Sequence, residues 1–201
     1  SGVMTYIVDI IIFISYNNNM DAVREYFSQH WKPDWNKFTH SGWQLVDKIN
    51  ALKPESVLDL GCGFNDLKDK IPGLYGIDPY NNKADEQVSI ENFNCGTKEW
   101  DVVLALGSIN FGTEFKIRRQ FKKAVSHLKT GGHFFGRFNP SSNLPVKDQN
   151  TIEGQAMGVD FFPWSEGYLR DLCYEYALNP VQIERDNKRI FFHGIKDFGR
   201  I

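Results

Sequence analysis

The segment Val57-Leu58-Asp59-Leu60-Gly61-Cys62-Gly63 narrows the possible folds of this chain most. An apolar run too short for a helix and leading straight into a turn reads as a strand from the interior of a parallel sheet. The two glycines let the backbone turn sharply and let a ligand lie against the main chain where a Cβ would otherwise stand. In open α/β sheets, ligands bind at the carboxyl ends of the strands, near the point where strand order reverses. A lone Gly-x-Gly also occurs as an ordinary tight turn, so the next strand has to decide. That strand, Leu74-Tyr75-Gly76-Ile77-Asp78, ends in a carboxylate 19 positions after Asp59. An acid placed there can accept both hydrogen bonds of a ribose diol; the alternative is a strand-end turn residue before Pro79.

From Ser56 onward, short apolar runs alternate with helical stretches: SVLDL, Asn65 to Lys70, LYGID, WDVVLAL, a helix from about Glu114 to Leu128, and HFFGRF. Strand and helix in repeated alternation specify an α/β, Rossmann-like fold, a mostly parallel sheet with helices on both faces. A helix from Glu166 to Ala177, the run VQIERD, a turn at Asn187-Lys188 and RIFFHGIK then predict an antiparallel hairpin closing the sheet. Upstream, helices are expected over Asp21 to His30 and about Ser41 to Leu52, joined by a link carrying Trp31, Pro33, Trp35 and Phe38. Between Phe138 and Pro163 periodicity is lost. Loops longer than about 12–15 residues are usually functional or disordered, so this one reads as an active-site lid or an idle insertion.

A length of 201 residues fits one domain. The division expected is an apolar arm or start-site extension at 1–19 and one domain at 20–201, with 20–55 a helical lid and 56–201 the core. Ser1 and Gly2 read as cloning remnants, and Met20 as an alternative start. Residues Tyr6 to Tyr16 form an apolar run broken by Asp9, short of the ~20 residues of a membrane span and without the flanks of a secretory signal. Ile7 to Ile14 suit a strand that extends a sheet, pairs with another chain or packs as an arm. The net charge of −2 provides no field to gather a polyanion. Lys116, Arg118, Arg119, Lys122 and Lys123 read as a solvated helix face, so nucleic acid is not favoured as a partner. Cys62, Cys95 and Cys173 are odd in number and contain no Cys-x-x-Cys pair, which suggests neither a disulfide framework nor a metal site and fits a cytoplasmic location.

Dinucleotide binders share the strand, glycine turn and ribose acid, but their fingerprint needs glycine where this chain has Asp66, a carboxylate that would repel a pyrophosphate. NAD or FAD is therefore the weaker reading. Asp59 suits instead a ligand carrying a cationic amino group and no phosphate.

VLDLGCG followed by LYGIDPY resembles the first two motifs of class I S-adenosylmethionine-dependent methyltransferases. WDVVLALGSINF resembles that family's fourth strand and following loop, LKTGGHFFGRF its helix end, paired glycines and fifth strand, and the C-terminal hairpin its antiparallel seventh strand. The resemblance covers roughly Val57 to the C-terminus and implies a seven-stranded sheet with S-adenosylmethionine as cofactor. It implies that Gly61, Cys62 and Gly63 form the backbone bed of the donor, with Asp59 near its amino group and Asp78 on its ribose hydroxyls. Pro79 and Tyr80 would lie near the adenine, Ile90 and Glu91, within Ser89 to Asn92, would read its edge, and Leu106, Gly107 and Ser108 would close over the methionine side. Two positions depart from the pattern: Ser89, where the family often has aspartate, and Asn65, where a third glycine is usual. Asn tolerates a left-handed backbone, so the turn can survive.

Transfer of a methyl group from a sulfonium is an in-line displacement, and proximity alone can contribute ~7–11 kcal/mol. A base is needed only when the nucleophile must lose a proton. No Asn/Asp-Pro-Pro-aromatic motif follows the fourth strand and no Pro-Cys pair is present, which argues against amino-methylating nucleic-acid enzymes and against cytosine methylation. His40 is a candidate pocket base or a surface histidine; His133 and His193 read as core or edge histidines. Arg137 and Asn139, at the end of the fifth strand, could orient an acceptor carboxylate or phosphate, and a structural salt bridge explains Arg137 equally well. Trp31, Trp35, Phe38 and Trp43, with Phe161, Phe162 and Trp164, read as core or as a lid over a small acceptor. A small-molecule acceptor leads; RNA or protein, or a donor-binding scaffold without catalysis, are the rival readings, with a monomer or homodimer expected.

Overall fold

The computed structural model describes residues 22–30, 42–140, 158–185 and 189–198. The arm at 1–19, the link with Trp31, Trp35, Phe38 and His40, residues 141–157 of the long loop, and the turn at Asn187-Lys188 lie outside the described residues. One sheet contains β1 (Val57–Leu60), β2 (Leu74–Ile77), β3 (Trp100–Leu106), β4 (Leu128–Phe138), β5 (Leu178–Arg185) and β6 (Ile190–Lys196). Their spatial order is β2-β1-β3-β4-β6-β5. β1 pairs parallel with both β2 and β3, and β3 with β4; β6 runs antiparallel between β4 and β5. Strand order reverses between β1 and β3, so the carboxyl ends of β1, β2 and β3 frame the crevice where such sheets bind ligands.

Alternation of side chains sends successive residues to opposite faces. Leu58, Leu60, Val103, Ala105, Phe134 and Phe138 pack on one face, beneath α2 (Glu114–Ser126) and α3 (Glu166–Glu175). Val57, Val102, Leu104 and Phe135 pack on the other, with Ile49 of α1 (Trp43–Ala51) and with Leu67 and Ile71. α2 starts because the Thr113 hydroxyl accepts the Lys116 N–H, and it buries Ile117, Gln120, Phe121, Ala124 and Val125, one stripe at helical spacing. α3 starts likewise at Ser165, whose side chain accepts the Tyr168 N–H. Residues 22–25 are helical and Tyr26–His30 continue as a π-helical turn. Among the described residues, no helix is long and apolar enough to cross a membrane.

Three expectations need correction. The described sheet has six strands rather than seven. Among the described residues, the chain between β2 and β3 adds no strand to the sheet, only an isolated bridge of Glu86 with Ile77. The outer edge of β2 is satisfied there by other means: the Asp85 carboxylate accepts the Gly76 N–H at 2.8 Å, and the Asp85 N–H donates to the Gly76 carbonyl at 2.9 Å. No ladder is needed. Asn65 to Lys70 is a series of turns, not a helix, because Gly61, Gly63 and Asn65 all have positive φ (75°, 57° and 59°) and leave no uninterrupted helical start. Finally, Leu128 to Gly132 belong to β4 rather than to a helix end. Leu128 pairs with Trp100 and His133 with Val102, and the surplus residues form a bulge that turns through Gly131 at φ 78°.

Candidate functional site

The turn after β1 is tied to β2: the N–H groups of Gly61 and Cys62 both donate to the Ile77 carbonyl, at 2.8 and 2.9 Å. Asp78, the next residue, locks the turn from the other side. Its Oδ2 accepts the Gly63 N–H at 3.1 Å, and its Oδ1 accepts the N–H groups of Tyr80 and Asn81 at 2.8 and 2.9 Å. Burial raises the Asp78 carboxyl above its ordinary value, with these N–H groups pulling the other way. A carboxylate offers about four lone-pair sites, so one remains for a hydroxyl donor.

Asp59 lies near the carboxyl end of the neighbouring strand β1, 4% exposed. Burial first, and then the charge of Asp78, push it up to about 7. No cation among the described residues offsets that charge. Cys62 sits under the same influences; burial and the charges of Asp59, Asp78 and Asp85 push its thiol well up, so it stays neutral and acts as a small filler. With Asp59 and Asp78 at its mouth, the crevice is complementary to a cation and repels a pyrophosphate.

Asn65 adopts φ 59°, the left-handed conformation that its departure from glycine requires. Its amide Nδ2 donates to the Lys83 carbonyl at 3.1 Å and to Asp85 at 3.4 Å. Lys68 also binds Asp85, at 2.7 Å, and Asp85 is held below its ordinary value despite partial burial. Gly76 is the small residue that this arrangement needs, since a Cβ there would fall 2.4 Å from Asn65 Oδ1 and 2.8 Å from Cys62 Sγ. Neither Gly76 nor Asp85 carried a sequence signal beyond lying near a strand end.

At the end of β3, Leu106 packs beside the α1-side core, Gly107 takes φ 112°, and the Ser108 side chain fills the space next to Gly61, where a Cβ would meet Ser108 Cβ at 2.3 Å. Ser108 Oγ is buried and has no hydrogen-bond partner among the described residues. That orphaned hydroxyl, with the uncompensated Asp59, fits a polar, cationic ligand group at the mouth of β1 and β3. Ile90 is buried in the core and Glu91 accepts a hydrogen bond from Gln120 at 2.8 Å, so the backbone of this segment is what a ligand could meet.

Asn110, 1% exposed, organises the far side of the crevice. Its Nδ2 donates to the Gly107 and Arg137 carbonyls at 3.0 and 3.4 Å, and its Oδ1 accepts the Asn139 N–H at 2.8 Å. Its own carbonyl accepts the Phe162 N–H at 2.8 Å. The Asn139 main chain is held on both sides, its carbonyl accepting the Trp164 N–H at 3.1 Å. Trp164 is fully buried, stacks on Phe138 and donates from Nε1 to the Ile109 carbonyl at 2.9 Å. It and Phe162 belong to the core, not to a lid. Phe161 differs: with Phe27, Tyr80 and Phe111 it forms an aromatic cluster beside Asp78, Phe27 stacking on Tyr80 and meeting Phe111 edge-on. Trp43 is exposed, under the Lys70 ammonium. His133 and His193 hydrogen-bond one another at 2.9 Å and stack on Phe135, and burial lowers both from the ordinary imidazole value.

No protein-family model matches the sequence, and no curated protein matches it. Solved structures do. The chain is similar to 1,6-didemethyltoxoflavin-N1-methyltransferase of Burkholderia thailandensis, solved with 1,6-didemethyltoxoflavin and S-adenosylhomocysteine, at TM-score 0.63 and 13% identity over 89% of this chain and 87% of that one. It is similar to the N-methyltransferase NodS of Bradyrhizobium japonicum WM9, solved with S-adenosylhomocysteine, at TM-score 0.63 and 14% identity over 90% and 98%. It is also similar to magnesium protoporphyrin IX methyltransferase of Synechocystis PCC 6803, solved with S-adenosylmethionine, at TM-score 0.61 and 12% identity over 89% and 97%. Strand order, the glycine turn and the acid ending β2 agree with that likeness: the chain has the Rossmann-like fold of the class I S-adenosylmethionine-dependent methyltransferases.

Proposed function

We propose that this chain is an S-adenosylmethionine-dependent methyltransferase acting on a small molecule. The observation that carries the reading is the pairing of Asp59, buried with no offsetting cation, with Asp78 across a glycine turn at the strand-order switch. In this reading Asp59 faces the donor's ammonium group, and Gly61, Cys62 and Gly63 supply the backbone against which the donor lies. Asp78 faces the ribose hydroxyls and accepts from one of them with its remaining lone pair. Pro79 and Tyr80 flank the adenine, the backbone of Ile90 and Glu91 meets its edge, and Leu106, Gly107 and Ser108 border the methionine side. Bound S-adenosylmethionine supplies an electrophilic methyl group on a sulfonium. The chain's own contribution is to hold the acceptor atom in line and to exclude water, which proximity makes sufficient for a nucleophile with a free lone pair. Of the expected lid at 20–55, residues 22–30 are placed to cover the site: Val23, Tyr26 and Phe27 pack against Tyr80, Phe111 and Phe161.

A small acceptor is supported by that aromatic cluster, which offers flat apolar surface, and by the similar structures of the 1,6-didemethyltoxoflavin and magnesium protoporphyrin IX methyltransferases, whose named substrates are small molecules. Cysteines that remain free fit a cytoplasmic setting. The test is incubation of the protein with methyl-labelled S-adenosylmethionine and a fractionated cell extract. Label in the small-molecule fraction supports the reading; label in RNA or protein overturns the acceptor class. Donor binding without transfer to any fraction would make the chain a binding protein.

A further inference from the structure

Three aromatic rings stand at the ligand edge of the sheet, each on a different connection and each set by main-chain hydrogen bonds. Tyr80 follows β2, and Asp78 Oδ1 accepts its N–H at 2.8 Å. Phe111 follows β3 and Phe161 precedes α3, and the two are direct partners on an antiparallel bridge. That bridge is pinned on both sides: the Gly112 N–H donates to the Asp160 carbonyl at 3.1 Å, and the Phe162 N–H donates to the Asn110 carbonyl at 2.8 Å. Residues directly opposite on an antiparallel pair project to the same side. The Phe111 and Phe161 rings accordingly meet edge to face, with centroids 5.2 Å apart. Phe27 packs between Phe111 and Tyr80, at 5.0 and 6.2 Å from their centroids. Tyr80, Phe111 and Phe161 all stay partly exposed, so ring surface remains for a ligand.

These rings stand in a negative field. Burial raises the Tyr80 phenol above its ordinary value, the charges of Asp78 and Glu91 raise it further, and Arg24 opposes them. Arg24 is exposed and so the most screened of the three charges, which leaves the carboxylates dominant. The face of an aromatic ring carries the negative lobe of its quadrupole and attracts a cation within about 6 Å of its centre. Ring faces beside carboxylates are complementary to a positive charge that water hydrates weakly, such as that of an alkylated nitrogen, and offer nothing to an anion.

We infer that Phe111 and Phe161, bordered by Tyr80, form a seat for an alkylated ammonium and that the acceptor is an amine, methylated on nitrogen. The transfer rests on the methyltransferase reading; the cation seat itself does not depend on it. The nitrogen lone pair forms the new C–N bond as the C–S bond breaks and its electron pair goes to sulfur. The sulfonium thereby becomes a neutral thioether and the positive charge passes to nitrogen; a proton carried on that nitrogen then leaves to solvent. Ring faces that hold the charge as it develops on nitrogen stabilise the transition state more than the neutral acceptor.

The experiment titrates choline, and separately its uncharged carbon isostere in which tert-butyl replaces the trimethylammonium group, into the protein saturated with S-adenosylhomocysteine, and follows binding by calorimetry. Wild type binds choline about fivefold or more tightly than the isostere. Phe111→Leu and Phe161→Leu, which keep apolar volume and lose the ring, bring the two affinities within about twofold of each other while keeping a cooperative thermal transition. Phe161→Tyr, which keeps the ring face, retains the preference and guards against a folding defect in the leucine variants. Choline bound no more tightly than the isostere, or not bound, or a preference that survives both leucine variants, overturns the cation seat. Displacement of choline by S-adenosylhomocysteine would put it in the donor's place and overturns the seat as well. Failure of wild type to bind S-adenosylhomocysteine overturns the donor reading instead, and the same titrations without it still report on the two rings.

Discussion

Replacing Asp59 by asparagine should stabilise the ligand-free protein and impair its function. The native carboxyl sits at about 7 against an ordinary value of 3.8. At about 1.4 kcal/mol per factor of ten, keeping it ionised above pH 7 costs the fold about 4 kcal/mol. The sign follows from proton counting: between pH 3.8 and 7 the native state holds the proton and the unfolded chain does not. Stability from this group therefore falls as pH rises through that window, and the full penalty is present at pH 8. Asparagine removes it but buries a neutral amide, at a cost of about 1–3 kcal/mol. The net expectation for Asp59→Asn at pH 8 is a gain of about 1–3 kcal/mol, shrinking by about 3 kcal/mol between pH 8 and pH 5 as wild type takes up its proton. Urea unfolding of both proteins at pH 8, 6.5 and 5, extrapolated linearly, measures this. A variant less stable than wild type at pH 8, or a difference that does not change with pH, would refute the claim that Asp59 is held uncompensated.

Three further outcomes are expected. Affinity for S-adenosylhomocysteine, measured calorimetrically from pH 5.5 to 8.5, should be flat above pH 7 and fall towards tenfold per pH unit below it, because the ligand's ammonium needs Asp59 ionised; in Asp59→Asn the dependence should disappear. Asn110→Ala should cost about 2–3 kcal/mol in urea unfolding, since it leaves the Asn139 N–H without its acceptor and unties β3 from β4. Gly76→Ala should destabilise by about 1–3 kcal/mol and weaken S-adenosylhomocysteine together, because the new Cβ pushes on Asn65 and Cys62 of the glycine turn; unchanged affinity in a folded variant would separate the two effects.

Much of this fold is visible in local pattern. VLDL and WDVVLAL are short apolar runs that only a strand covered on both faces can bury, and the C-terminal hairpin follows from two alternating runs around a turn. Asn65 at φ 59° shows that a departure from glycine can be read correctly when the alternative residue also tolerates that backbone. The misreadings lie where tertiary contacts decide. Nothing local says that Asp85 will satisfy the edge of β2 with its side chain and leave a bridge in place of a strand. Trp164 carries no mark that distinguishes a lid from a core residue; its indole N–H bond to Ile109, 55 positions earlier, settles the matter. Asn110 was legible only as a loop residue, because its importance lies in reaching the end of β4 at the Arg137 carbonyl, 27 positions later.

The central claim, that the glycine turn with Asp59 and Asp78 is a site for an adenosyl ligand bearing a positive charge, is tested most directly by calorimetric titration. S-adenosylhomocysteine, S-adenosylmethionine and NAD are each titrated into wild type and into Asp78→Ala. Micromolar binding of both adenosyl ligands, at least tenfold weaker in the variant, with no measurable NAD binding, is the predicted result. Binding of NAD in preference to them, or of none of the three, would contradict the account.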